Sequence, residues 1–157
     1  MSSMNEETKG ITASLILEVI GKPPEHLVET LENLIKQIDE EKKTKVVSKK
    51  INEPVGLKDN PGFYTTFAEV EVEVEEILHL AILMFKYMPA HVEIISPGLI
   101  ALSNSGWSDI FSELTRRLHG YDEVARVLQM EKKILENKLR EVLEKKPEEK
   151  PKKSKKK

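Results

Sequence analysis

A chain of 157 residues, 39% of them hydrophobic, has material for one ordinary domain and an appendage, and a domain of this size buries about two thirds of the surface its unfolded chain exposes. The absence of cysteine excludes disulfides, thiolate zinc sites and a cysteine nucleophile, and sets a reducing, cytoplasmic location as the expectation. The formal charge of -2 hides an uneven split, because residues 145–157, KKPEEKPKKSKKK, hold eight lysines and two glutamates and leave the preceding 144 residues at -8.

At the start, MSSMNEETKG has neither the basic nor the apolar region of a signal peptide, so residues 1–10 are expected to be a flexible lead. No apolar run reaches the roughly 17–20 residues that a bilayer span needs, and no membrane association is expected. ITASLILEVIG, residues 11–21, sets Ile11, Ala13, Leu15, Leu17 and Val19 on one side and Thr12, Ser14, Ile16 and Glu18 on the other, the period-2 pattern of a strand with one buried face. The prolines of KPPEHLVETLENLIKQIDEEKK suit a helix start, where a missing N–H costs little, and Leu27, Leu31, Leu34 and Ile38 recur at helical spacing beside Val28 and Ile35. This is a one-sided helix lying on a sheet. TKVVSKKINEPV predicts a lysine-rich edge strand stopped by Pro54, and LKDNPGF supplies turn chemistry after it.

The next strand, within FAEVEVEVEE, turns Ala68, Val70, Val72 and Val74 to the core and sets Glu69, Glu71, Glu73 and Glu75 on the opposite face, roughly 6.5–7 Å apart. Two carboxylates 7 Å apart in water repel by about 0.6 kcal/mol, which an open face tolerates, and Lys45, Lys49 or Lys50 is expected to offset part of it across the sheet. A calcium site needs six to eight oxygens converging at about 2.4 Å, which one flat strand cannot supply. The ladder is therefore read as a solvated polar surface, with Glu18, Glu69, Glu71 and Glu73 as its candidate ligand-facing residues.

Residues 77–88 are apolar at ten of twelve positions, too few to span a bilayer and too apolar for a helix with a wet side. Such a helix needs two covers, the sheet on one side and the C-terminal helix or another copy of the chain on the other. PAHVEIISPGLIALSN predicts a last strand broken near Pro97 and Gly98, with Ser103–Gly106 as a closing turn. Strand, helix, strand, strand, helix, strand is the ferredoxin-like order, an α+β sandwich over residues 11–106 with its helices on one face of an antiparallel sheet.

The turn VIGKPPEHL after the first strand resembles the strand-to-helix turn of ACT-type regulatory domains, although Pro24 and Glu25 stand where a glycine usually follows the proline. The resemblance spans residues 11–103 and implies a tendency to pair sheets or helices between subunits.

SDIFSELTRRLHGYDEVARVLQMEKKILENKLREVLEKK predicts one long helix over residues 107–144, with Ser108 as N-cap and Asp109 in the first turn. Phe111, Leu118, Ala125, Lys132 and Leu139 fall at one heptad position; Leu114, Tyr121, Leu128, Leu135 and Val142 fall three residues on. About five heptads argue for a coiled coil, with Lys132 restricting the registers that fit. Residues 145–157 are expected to be disordered, since apart from proline they have nothing apolar to offset their ordering entropy. They serve either as a solvated tail or as a phosphate-contacting arm through Lys152, Lys153, Lys155 and Lys156.

For catalysis the sequence offers little. Glu76 and His79 form an E-x-x-H pair expected on one helical face, half of a di-iron carboxylate motif with no second copy, and a small metal enzyme would need His91 to converge with them. His91 with Glu93, His119 with Asp122, and His26 are expected to be ordinary polar contacts. There is no phosphate-cradling glycine loop, G-x-S-x-G elbow or H-E-x-x-H motif. The expectation is a non-catalytic, cofactor-free, homo-oligomeric interaction or regulatory module, a dimer held by Phe111, Leu114, Leu118, Tyr121, Leu128, Leu135, Leu139 and Val142, with room for a protein partner. The alternative is a nucleic-acid- or ribosome-associated factor docking through its basic tail.

Overall fold

The computed structural model describes residues 7–145, which form two compact units, one up to Thr115 and one from Arg116. The elements run β1 (Lys9–Gly21), α1 (Pro24–Asp39), β2 (Thr44–Ile51), β3 (Val55–Gly56), β4 (Tyr64–Glu76), α2 (Ile77–Tyr87), β5 (His91–Ser96) and α3 (Asn104–Glu144). The five-stranded sheet is antiparallel, with main order β2-β4-β1-β5 and β3 added beside β4. Setting aside the short β3, this is the ferredoxin-like arrangement, an α+β fold followed by a long C-terminal helix.

β1 and β4 form the centre of the sheet, in register from Lys9 opposite Glu76 to Gly21 opposite Tyr64. The alternation in both strands sends Ile11, Ala13, Leu15, Leu17, Ala68, Val70, Val72 and Val74 to one side, where each is essentially inaccessible. α1 lies on that side and buries Leu27, Leu31, Ile35 and Ile38, a stripe at helical spacing in which Ile35 takes the deep position and Leu34 only a partial one. Pro24 stands at the first helical position, after Pro23 as N-cap. α2 adds Leu80, Ala81 and Leu83 to the same layer, so both helices share one face of the sheet. Its other side is less covered, and Met84 and Met88 stay exposed.

Three local readings are corrected. β1 starts at Lys9, two residues early, and the backbone N–H of Thr8 donates to the Ala101 carbonyl at 2.9 Å. β3 follows Pro54, where the sequence reading ends the strand: Val55 pairs with Thr65 and Gly56 with Tyr64. Ser103–Gly106 is not a closing turn but the start of α3, because the Ser103 hydroxyl accepts the Gly106 N–H at 3.0 Å, as an N-cap side chain does three residues ahead. Ser108 is consequently inside the helix and donates to the Asn104 carbonyl at 2.9 Å. Gly106 is closely packed: a Cβ there would stand 2.5 Å from Leu102 Cδ1 and from Glu7 Oε1, so a larger residue needs those side chains to shift.

Candidate functional site

Two surfaces carry the sequence-predicted residues, and they lie in different units. The first is the sheet face opposite the helices. Register places Lys50 beside Glu69 beside Ile16 beside His91 in one cross-strand row, and Ser48, Glu71, Ser14 and Glu93 in the next. Lys45 stands opposite Glu73 and Lys50 opposite Glu69, so two of the three expected lysines do face the ladder. Lys49 does not. A register shift between Val46 and Ser48 pairs Lys49 with the core-facing Val70 and turns it to the helix side, where it lines a groove of about 640 Å³ with Glu32, Lys36 and Asp39 of α1. Asp39 Oδ1 accepts the Val46 N–H at 2.9 Å beside this irregularity.

Glu69 and Glu73 are exposed and Glu71 is half-buried. Glu75 pairs with Lys43 at 3.1 Å, and its hydrogen bond raises the lysine pKa. Glu18 accepts a hydrogen bond from the Thr65 hydroxyl at 3.2 Å. At the β3 end the face turns apolar, with Ile20, Val55, Phe63 and Phe67 exposed and the Lys22 ammonium 5.0 Å from the Phe63 ring centre.

The histidine candidates are scattered. Glu76 is the last residue of β4, with extended backbone (φ -138°, ψ 157°), so it does not share a helical face with His79 and the half motif is corrected. Glu76 pairs with Lys9 and His91 with Ile16, seven residues apart along β1, which separates them by about 23 Å. His79 sits on α2, its Nδ1 buried without a hydrogen-bond partner. His26 is exposed, 3.7 Å from Glu29. Among the described residues no group of three or more histidines and carboxylates is placed to hold a metal.

One cluster had no signal in the sequence. The Tyr87 hydroxyl donates to Glu41 Oε1 at 2.5 Å, and the Lys86 ammonium contacts the same oxygen. Burial first, then the bond to Glu41, pushes the tyrosine pKa well above its ordinary value. The partners are 46 positions apart, and only the helix packing joins them.

The second surface is α3. In the unit up to Thr115, Phe111 is exposed and stacks on Trp107 with ring centres 5.7 Å apart, while Leu114 is half-buried. From Arg116 onward the heptad positions form an apolar stripe broken by Lys132: Leu118, Tyr121, Leu128, Leu135, Leu139 and Val142 are each between 45% and 66% exposed. Val124 and Leu143 widen it. Lys132, on the stripe, reaches to 3.7 Å from Glu136, and Arg126 bonds Asp122, at the edge of the stripe, at 2.7 Å. A shallow hollow of about 340 Å³ lies along this face at Leu128, Lys132, Leu135 and Leu139. No helix among the described residues is long and apolar enough to cross a membrane.

The tail candidates Lys152, Lys153, Lys155 and Lys156 lie outside the described residues, as do residues 1–6 of the expected N-terminal lead. Neither the curated proteins nor the solved structures contain a match to the chain. A family model does match, over residues 12–147, which takes in nearly all of β1 and everything through the end of α3; the chain belongs to the MJ0538 family.

Proposed function

We propose that this protein is a non-catalytic interaction or regulatory module that works as a cytoplasmic homo-oligomer, a dimer in its simplest form, joined through the heptad face of α3. The observation that supports this is the row of large apolar side chains from Leu118 to Val142, each about half or more accessible in one copy. Leaving such a row in water forgoes about 1.5–3 kcal/mol per fully buried side chain, and a heptad repeat is the pattern that a second helix covers. The exposed Met84 of α2 and Met88 just after it offer a secondary contact for the same assembly or for a protein partner. The ACT-like turn at residues 19–27 fits the regulatory part of the proposal, since sheets of that type pair between subunits. Light scattering coupled to size exclusion tests it: a species of twice 17.9 kDa or more is expected, and a monomer at micromolar concentration removes the proposal.

A second reading rests on the eight lysines within residues 145–157. If these contact the phosphates of a nucleic acid or a ribosome, binding falls steeply with salt and disappears on removing residues 145–157, whereas assembly through α3 survives that deletion.

A further inference from the structure

The hollow on α3 has the composition of two adjoining holes of a parallel coiled coil. In that packing, a knob from the Lys132 position enters a hole of Leu128, Glu131, Lys132 and Leu135, and a knob from the Leu135 position enters one of Lys132, Leu135, Glu136 and Leu139. Together these are the six residues that line the hollow. Resting on the homodimer reading above, we infer that two copies pair in parallel and in register through residues 118–142, with each Lys132 seated between its own Glu136 and the partner's Glu131.

Charge selects this arrangement. Lys132 lays its apolar stem along the stripe and already turns its ammonium toward Glu136. In the parallel pair, Glu131 of one copy faces the partner's Glu136 across the edge, a like-charge contact that the intervening Lys132 offsets. Sliding one copy by a heptad removes this. The Lys132 of one copy then meets a hole of Tyr121, Val124, Ala125 and Leu128, which has no carboxylate, and the Lys132 of the other meets Leu135, Lys138, Leu139 and Val142, which adds a second cation. The antiparallel arrangement brings the edge carrying Asp122, Gln129 and Glu136 against its own copy, acid against acid, with Arg126 beside Asp122 as the one cation reaching that edge and none at Glu136 comparable to the seam Lys132 of the parallel pair.

The chain has no cysteine, so one introduced thiol reports the geometry alone. Leu135→Cys, and separately Val142→Cys one heptad on, should give mostly disulfide-linked dimer under mild oxidation of the full chain, while Asn137→Cys on the outer face should give little. Lys132→Glu should weaken association at least about tenfold, and Lys132→Ile should tighten it by a similar factor and admit larger assemblies, because a lone lysine at this position limits both stability and strand number. A wild-type dimer in which neither Leu135→Cys nor Val142→Cys links, although both variants keep the dimer mass, overturns the parallel register and leaves the dimer standing. A wild-type monomer overturns both.

Discussion

β4 and α3 each carry a regular apolar repeat, yet the fold treats them in opposite ways. Val70, Val72 and Val74 are at most 2% exposed because β1, β2 and both short helices meet around them, whereas Leu128, Leu135 and Leu139 are about 60% exposed. A repeat of two is satisfied by neighbours within one chain, since a sheet presents a whole face for helices to cover. A repeat of seven asks for another helix of similar length, and α1 and α2, at 16 and 11 residues against 41, are too short to supply it. The first repeat therefore builds a domain, and the second is available for association.

The largest effect is expected where the second repeat is broken. Changing Leu128 and Leu135 together to Asp places carboxylates in an apolar interface at several kcal/mol each, so the mass should fall to that of a monomer while circular dichroism keeps the strand signal. Unchanged mass with loss of fold would instead place the stripe in the chain's own core. Next comes the first repeat: Leu31→Ala opens a cavity beneath α1 and should cost about 2–5 kcal/mol in chemical denaturation, with the mass below the transition the same as that of the wild type.

A smaller effect is expected at Tyr87. Removing its hydroxyl with Tyr87→Phe takes a donor from Glu41 and should cost about 1–2 kcal/mol near neutral pH. Its pH dependence has a definite sign. The folded tyrosine holds its proton beyond the pH near 10 at which the unfolded one releases it, so the wild type loses stability as pH rises above about 10. The stability difference between wild type and Tyr87→Phe should shrink over that range, and a difference that stays constant would show that burial and the bond to Glu41 do not hold the proton on the tyrosine. The smallest effect belongs to the ladder. Replacing Glu71 and Glu73 by Gln should change unfolding free energy by less than about 1 kcal/mol, and a larger loss would mean that this face is structurally committed.

The elements legible in the sequence are those whose pattern is long. Thirteen-residue strands with strict alternation and a helix with apolar residues at every turn announce both their type and their buried side, and from them the ferredoxin-like order follows. What was missed is short or depends on tertiary contacts. A two-residue strand such as Val55–Gly56 has no period to detect. The side taken by Lys49 depends on one irregular residue in β2, which shifts every later side chain to the other face. The start of α3 is not legible because Ser103 and Ser108 are equally good capping residues in isolation; the close approach of Leu102 to Gly106 is visible only in three dimensions. Of the candidate surfaces, the ladder and the heptads were legible as patterns, whereas the Glu41–Tyr87–Lys86 cluster joins parts of the chain with no shared motif.

The order of the elements along the chain also bears on how it is made. The last strand of the sheet ends at Ser96, and the heptad helix is complete only at Glu144, about fifty residues later. Synthesis at about 5–20 residues per second leaves roughly 2–10 s in which the sheet can close before the full stripe has left the ribosome. Every strand that buries the valines of β4 is thus made before the C-terminal leucines of α3, so the nascent chain can close its own core with little competition from the far half of that helix.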